Sequence, residues 1–155
     1  VPDLAEGHAL YGAILNVAMT RGRPGARSPS AHEWMDLQDA QLAVRRQWAR
    51  LFEGFDVVLA PAHGSVAFPH DDSPDMGARR LLIDNQPTRY FDHLAWPGVA
   101  TLAPLPVTAA PIGLTAEGLP IGIQIIGPYL EDRTPIAFAG LLEREFGGFV
   151  APPGY

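Results

Sequence analysis

The stretch "GLPIGIQIIGP", residues 118–128, limits what this chain can fold into more than any other. Its apolar run from Ile121 to Ile126 is shorter than a stable helix, and β-branched isoleucine fills four of its six positions. Glycine and proline fence both ends, where they stop regular structure. The run reads as a buried strand that wants cover on both faces and a neighbour on each edge. Gln124, its one polar side chain, is expected to satisfy a nearby backbone group rather than touch a ligand.

Helix signals stand on both sides of this strand. After it, Asp132 is placed to cap a helix running to Phe146, with Pro135 in its first turn and Phe138, Leu142 and Phe146 on one face. Far upstream, Ser30 and Glu33 fit the S-x-x-E capping box, in which each side chain satisfies a free N–H at the helix start. Behind that box runs a seam of Trp34, Leu37, Gln41, Val44, Trp48, Leu51 and Phe55, interrupted only at Gln41 and ended by Gly54. This spacing predicts a helix packed on one side, with a partner-binding coiled coil as the alternative. A weaker helix is expected over Asp3–Met19, and "RGRPGARSPS", residues 21–30, has loop composition. Arg21, Arg23 and Arg27 of that loop leave an anion site open as a second reading.

Between these segments, Asp56–Ala60 reads as a buried strand closed by Pro61, and residues 61–77 are irregular. A short helix is expected over Ala78–Asp84, a second one capped by Thr88 and running to about Trp96, and a strand in "LPVTAA". The order implies an α/β fold in which a partial mixed sheet is flanked by helices. One domain spans 1–155, an N-terminal helix and loop over 1–30 followed by 31–155. The chain looks poorly equipped to supply neighbours for its best strand, so part of a larger fold is expected to be missing.

Composition removes several chemistries. There is no cysteine, and all 11 basic residues are arginine, so cysteine nucleophiles, thiolate metal sites, Schiff bases and lysine-bearing phosphate loops are excluded within this chain. A net charge of -6 argues against a grip on nucleic acid or anionic membrane. No run reaches the length of a membrane span, which points to a soluble, cytoplasmic protein. His63, His70, Asp71, Asp72 and Asp75 include metal-ligand types at a spacing that matches neither a helical H-x-x-x-H pattern nor a calcium loop, which leaves a divalent-metal site as the minor alternative. They are expected to form a solvated acidic loop. His63-Gly64-Ser65 brings a base near a hydroxyl, without the G-x-S-x-G elbow that would expose a nucleophile. Phe91, His93 and Trp96 either line an apolar pocket or pack in the core.

The segment "GLPIGIQIIGPYLEDRTPIAFAGLLERE" resembles the C-terminal signature of the amidase signature family. In that family a Gly-Leu-Pro strand bearing a glutamine leads through Gly-Pro and an aspartate into a helix ending in Leu-Glu. Gly118, Leu119, Pro120, Gly122, Gln124, Gly127, Asp132, Leu142 and Glu143 fit it. "PVTAAPIGLTAEGLP" and "FEGFDVVLAPAHGSVAFP" are similar to the strands that precede it, so the resemblance extends over about residues 33–145. The chain departs from the family at "HLAWPGVATLAPLPVTAAP", where an asparagine and a Thr-Gly are usual. It also contains no Ser-Ser pair, no lysine and no glycine-serine-rich run of the kind that carries the family's nucleophile.

The resemblance implies the C-terminal part of a hydrolase that cleaves a carboxamide through an acyl-serine. A serine attacks, a second serine relays protons, a neutral lysine is the base, and backbone N–H groups hold the oxyanion. None of those side chains is expected here, and the chain alone is expected to be inactive. The alternative is a stand-alone interaction or complementing subunit derived from such an enzyme. The resemblance makes the loop from Pro61 to Gly77 one wall of the acyl pocket, and the candidate substrate-binding residues are His63, Phe91 and Trp96. No cofactor and no metal is implied. The expected partners are a small-molecule amide and either the missing N-terminal core or a second copy, with no nucleic acid and no membrane.

Overall fold

Ser30 and Glu33 do what their spacing predicts. The Glu33 N–H donates to Ser30 Oγ at 3.2 Å, and the Ser30 N–H donates to the Glu33 carboxylate at 2.8 Å. Helix α1 (Ala31–Leu51) starts on this reciprocal pair. The structure, a computed structural model, describes residues 9–14 and 28–151. Residues 9–14 are helical, and Tyr11 lies against Gly98; the remainder of the helix expected over Asp3–Met19 and residues 21–27 of the expected loop lie outside the described residues. Helix α1 ends at Leu51, earlier than expected, because the N–H groups of Phe52, Glu53 and Gly54 turn back onto Trp48, Arg50 and Leu51 carbonyls. Phe55 therefore leaves the seam and is 62% exposed.

Strands β1 (Val58–Pro61), β4 (Val107–Leu114) and β5 (Pro120–Ile126) form one sheet in the order β1-β5-β4, with both pairings antiparallel. The chain thus does supply both neighbours of β5, contrary to expectation. The cause is that β1 returns from far upstream to pair with β5, a contact that no local pattern announces. Strand β1 is correspondingly an edge strand rather than a buried one, with Leu59 half exposed. Its terminal Pro61 is tolerated because an edge strand can spare an N–H.

Residues 78–84 are not helical. Strand β2 (Arg80–Ile83) and strand β3 (Gln86–Arg89) form an antiparallel hairpin instead, turning through Asp84-Asn85 at φ 50° and 61°. A two-residue turn with positive φ at both centres matches the twist of a hairpin, and aspartate and asparagine are among the few residues that accept it. Leu81 is buried while Leu82 is exposed, a two-residue period that overrides the helix propensity of Arg-Leu-Leu. Thr88 consequently sits in β3 and caps nothing. A 3-10 segment, Tyr90–Leu94, follows and leads into helix α2 (Ala95–Leu102).

Opposed residues on antiparallel strands share a face, which sorts the sheet into two sides. On one side Val58 and Ile126 meet Trp48, Ala100, Ala103 and Leu105, with Val44, Leu51, Phe52, Ala60 and Val99 around them. This is the core between the sheet and helices α1 and α2. Gln41 does not interrupt it, since its Nε2 donates to the Leu102 carbonyl at 2.8 Å and ties α1 to the end of α2. On the other side Ile125 is fully buried, and helix α3 (Arg133–Phe146) packs on β4 and β5.

Asp132 occupies the N-cap position of α3 without a side-chain capping bond; Thr134 is tied to Glu131 instead. Pro135 is fully buried against Gly127, where an added Cβ would lie 2.5 Å from the proline Cδ. Gly127 is therefore required for the close approach of helix to strand. Phe138 and Leu142 are partly covered, whereas Phe146 is 80% exposed.

Candidate functional site

Gln124 joins three elements at the heart of the sheet. Its Nε2 donates to the Pro61 carbonyl at the end of β1 and to the Trp96 carbonyl in α2, both at 2.8 Å. An amide nitrogen has two protons, and both are used. The expected backbone role of Gln124 is the observed one, and it fixes the point at which the chain leaves β1 for the loop carrying His63.

Beside that point lies a groove of about 490 Å³. Leu59, Val66, Ile112, Ile121 and Ile123 give it an apolar lining, and His63 and Ser65 are its polar side chains. It exists because α3 covers only part of that sheet face, and because β4 is irregular between Pro111 and Gly113, next to the half-exposed Ile112. An apolar trough with a few polar groups suits an uncharged organic ligand.

His63 is held locally. Both the N–H and the hydroxyl of Ser65 lie 3.3 Å from its Nδ1, so this nitrogen is the acceptor and the proton of the neutral ring is on Nε2. A nucleophile needs a base that a third group orients and donors for the oxyanion. Here the contact spans two residues of one loop, and among the described residues His63 makes no hydrogen bond to a carboxylate. The Ser65 contact fixes the His63 ring at the edge of the groove.

The remaining candidates connect through stacked rings. His63 stacks on His93 at 5.4 Å and on Phe68 at 5.9 Å. Phe68 meets Tyr90 edge-on at 6.2 Å, and Tyr90 meets Phe91 edge-on at 5.6 Å. His63 thus borders the groove directly, Phe91 reaches it only through this ladder, and Trp96 meets the sheet through its carbonyl. Phe68, Tyr90 and Thr88 also carry the site, although the sequence pattern does not single them out for it. The signal that points to them is the Asp84-Asn85 turn, which fixes the hairpin and so brings Thr88 to His93.

A second groove of about 520 Å³ lies between His70-Asp71 and Arg79-Arg80, but its charges are engaged in holding the loop. The Asp71 carboxylate accepts from the hydroxyl and N–H of Ser73, which hold its pKa below the usual aspartate value, and Asp75 accepts from the Gly77 N–H at 2.9 Å. Arg79 donates twice to the Ser73 carbonyl, and Arg80 donates to the carbonyls of Gly77 and Arg79. Among the described residues no three histidine, aspartate or glutamate side chains converge. None of their helices is long and apolar enough to cross a membrane.

Comparison with known proteins identifies the family and the fold. The family model described as Amidase matches residues 8–135. The chain is 32% identical to fatty-acid amide hydrolase 2 of Homo sapiens over 123 residues, which make up 79% of this chain and 20% of that protein. It is 30% identical to fatty-acid amide hydrolase 2-A of Danio rerio over 123 residues, again 79% of this chain and 20% of that one. A solved structure described as an amidase shares the fold at a TM-score of 0.69 and 20% identity, over 93% of this chain and 36% of that chain. The chain therefore spans about a fifth of the length of the curated relatives it matches.

Proposed function

Because the chain belongs to the amidase signature family, we propose that it forms the late sheet-and-helix portion of a hydrolase that cleaves a carboxamide through an acyl-serine. It frames the substrate while the nucleophile is supplied from elsewhere. The observation that carries this is a conjunction. The fold and the family match are those of an amidase, and the 155 residues hold no lysine and no Ser-Ser pair. A neutral lysine and two serines would perform attack and proton relay, and the residues present here would hold the hydrocarbon part of the amide.

In this reading the groove beside Pro61 takes the acyl or aryl group of a small-molecule amide. His63 walls it directly, Phe91 supports that wall through Tyr90 and Phe68, and Trp96 fixes its base through the carbonyl held by Gln124. The same reading places the protein in the cytoplasm, with no nucleic acid or membrane partner and no cofactor. A complementing role, with the N-terminal core or a second copy as partner, is favoured by the apolar surface left open. Trp34, Met35 and Leu42 on α1, and Leu59, Ile112 and Leu114 on the sheet, are all exposed.

The test is an assay of the 155-residue chain on an aliphatic and an aryl amide, alone and mixed with a chain carrying a glycine-serine-rich core and its lysine. No turnover alone and turnover in the mixture is the expected result. Hydrolysis by the isolated chain would overturn the assignment of the nucleophile to another segment.

A further inference from the structure

The loop that walls the groove has no regular structure of its own, so its position must be fixed from outside. We propose that His93 is a positioning residue that locks residues 63–68 against the 3-10 segment and thereby sets the shape of the groove. The consequence for ligand selection rests on the groove reading above; the lock itself rests on geometry alone.

Proton bookkeeping defines the first contact. Thr88 Oγ1 donates its single proton to the Leu81 carbonyl at 3.0 Å, so its 2.7 Å contact with His93 Nε2 is one that it accepts. The neutral His93 ring therefore carries its proton on Nε2 and presents a bare Nδ1. That edge faces Gly64, where an added Cβ would lie 2.1 Å from Nδ1. His93 is 8% exposed and has no room to retreat, so glycine at 64 is what lets the loop dock on the ring.

Stacking supplies the second grip. In a 3-10 helix residues three apart lie on the same side, which puts Tyr90 and His93 on one face of the segment Tyr90–Leu94. His93 holds the start of the loop through His63, and Tyr90 holds its end through Phe68. His63 and Phe68 also stack on each other, so the four rings form a row whose ends, Tyr90 and His93, are joined through the 3-10 backbone into a circuit. The β2-β3 hairpin anchors that circuit through Thr88. His93 thus connects a rigid hairpin to an irregular loop, and the groove's lining at His63, Ser65 and Val66 depends on it.

The experiment uses the 155-residue chain. Nitrogen-15 spectra of its histidines should show His93 protonated at Nε2 and bare at Nδ1. In His93→Ala, amide exchange of residues 63–68 should accelerate about tenfold while β5 is unchanged, because one buried hydrogen bond and one stacked ring are lost locally. His93→Gln, which keeps a donor toward Thr88, should restore much of the protection. Thr88→Val, which keeps the packing, should loosen the same loop and serves if His93→Ala does not fold. A proton on Nδ1, an unchanged loop in either folded variant, or equal acceleration in β5 overturns the proposal.

Benzamide is the ligand probe. It should shift Ile121 and Ile123 signals in the wild type and bind more weakly to His93→Ala. Unchanged binding to a loosened loop overturns the positioning role. No binding to the wild type, with the exchange response intact, removes the groove reading and leaves the lock standing.

Discussion

Gln124 shows how much one side chain can settle. It is 5% exposed, and its two amide protons satisfy carbonyls from β1 and α2 that have no other side-chain donor among the described residues. Gln124→Leu keeps the volume and removes both bonds, so each carbonyl loses its side-chain donor. An expected loss of about 1–3 kcal/mol follows from two buried hydrogen bonds at the usual net value. Urea unfolding checks it through the midpoint at an unchanged slope, and a change below about 0.5 kcal/mol would show that the carbonyls find other donors. The polar-to-backbone role is legible in the sequence because a lone glutamine in an isoleucine run has few alternatives. Its acceptors are not, since they lie 63 and 28 residues away.

Among the secondary-structure segments, legibility follows the range of the forces involved. The start of α1 is readable because the capping box is a three-residue interaction, and β5 because glycine and proline fence it. The hairpin runs against its local pattern: Arg-Leu-Leu-Ile favours a helix in isolation, and only pairing with β3 decides otherwise. Its turn offers a direct check. Asn85→Val places a β-branched side chain at φ 61° and is expected to cost about 1–2 kcal/mol. Asn85→Gly is expected to be close to neutral, because glycine accepts a positive φ without steric cost but adds freedom to the unfolded chain. Thermal unfolding of the two variants separates them, and identical midpoints would argue against a positive-φ turn. Because Thr88 hangs from this hairpin, the valine variant should also loosen the loop at His63.

Taken whole, the molecule is well packed between α1, α2 and one sheet face, and open over the part of the opposite face that α3 leaves uncovered and along the first half of α1. Trp48 is 3% exposed whereas Trp34, near the start of the same helix and on the same seam, is 41% exposed. An apolar seam covered at only one end is the mark of a surface that another polypeptide segment fits. Sedimentation should therefore show the isolated chain associating as concentration rises, and Trp34→Glu together with Leu59→Glu should shift it toward monomer. A chain that stays monomeric at every concentration, with its fold intact, would show that the open faces tolerate water.

The residues in order are enough to establish the chemistry this chain lacks, the ends of its best strand, the cap of its longest helix and the family it resembles. Each depends on residue type or on contacts within one turn of the chain, where position in sequence and position in space coincide. The placement of β1 against β5, the ring circuit around His63 and the groove beside it depend on contacts between distant segments. Their free energy appears only once a loop has closed, and no local pattern encodes which loop that will be. Residue type alone thus marks His63 as a candidate, and the fold makes it a wall by setting His93, Phe68 and Tyr90 around it.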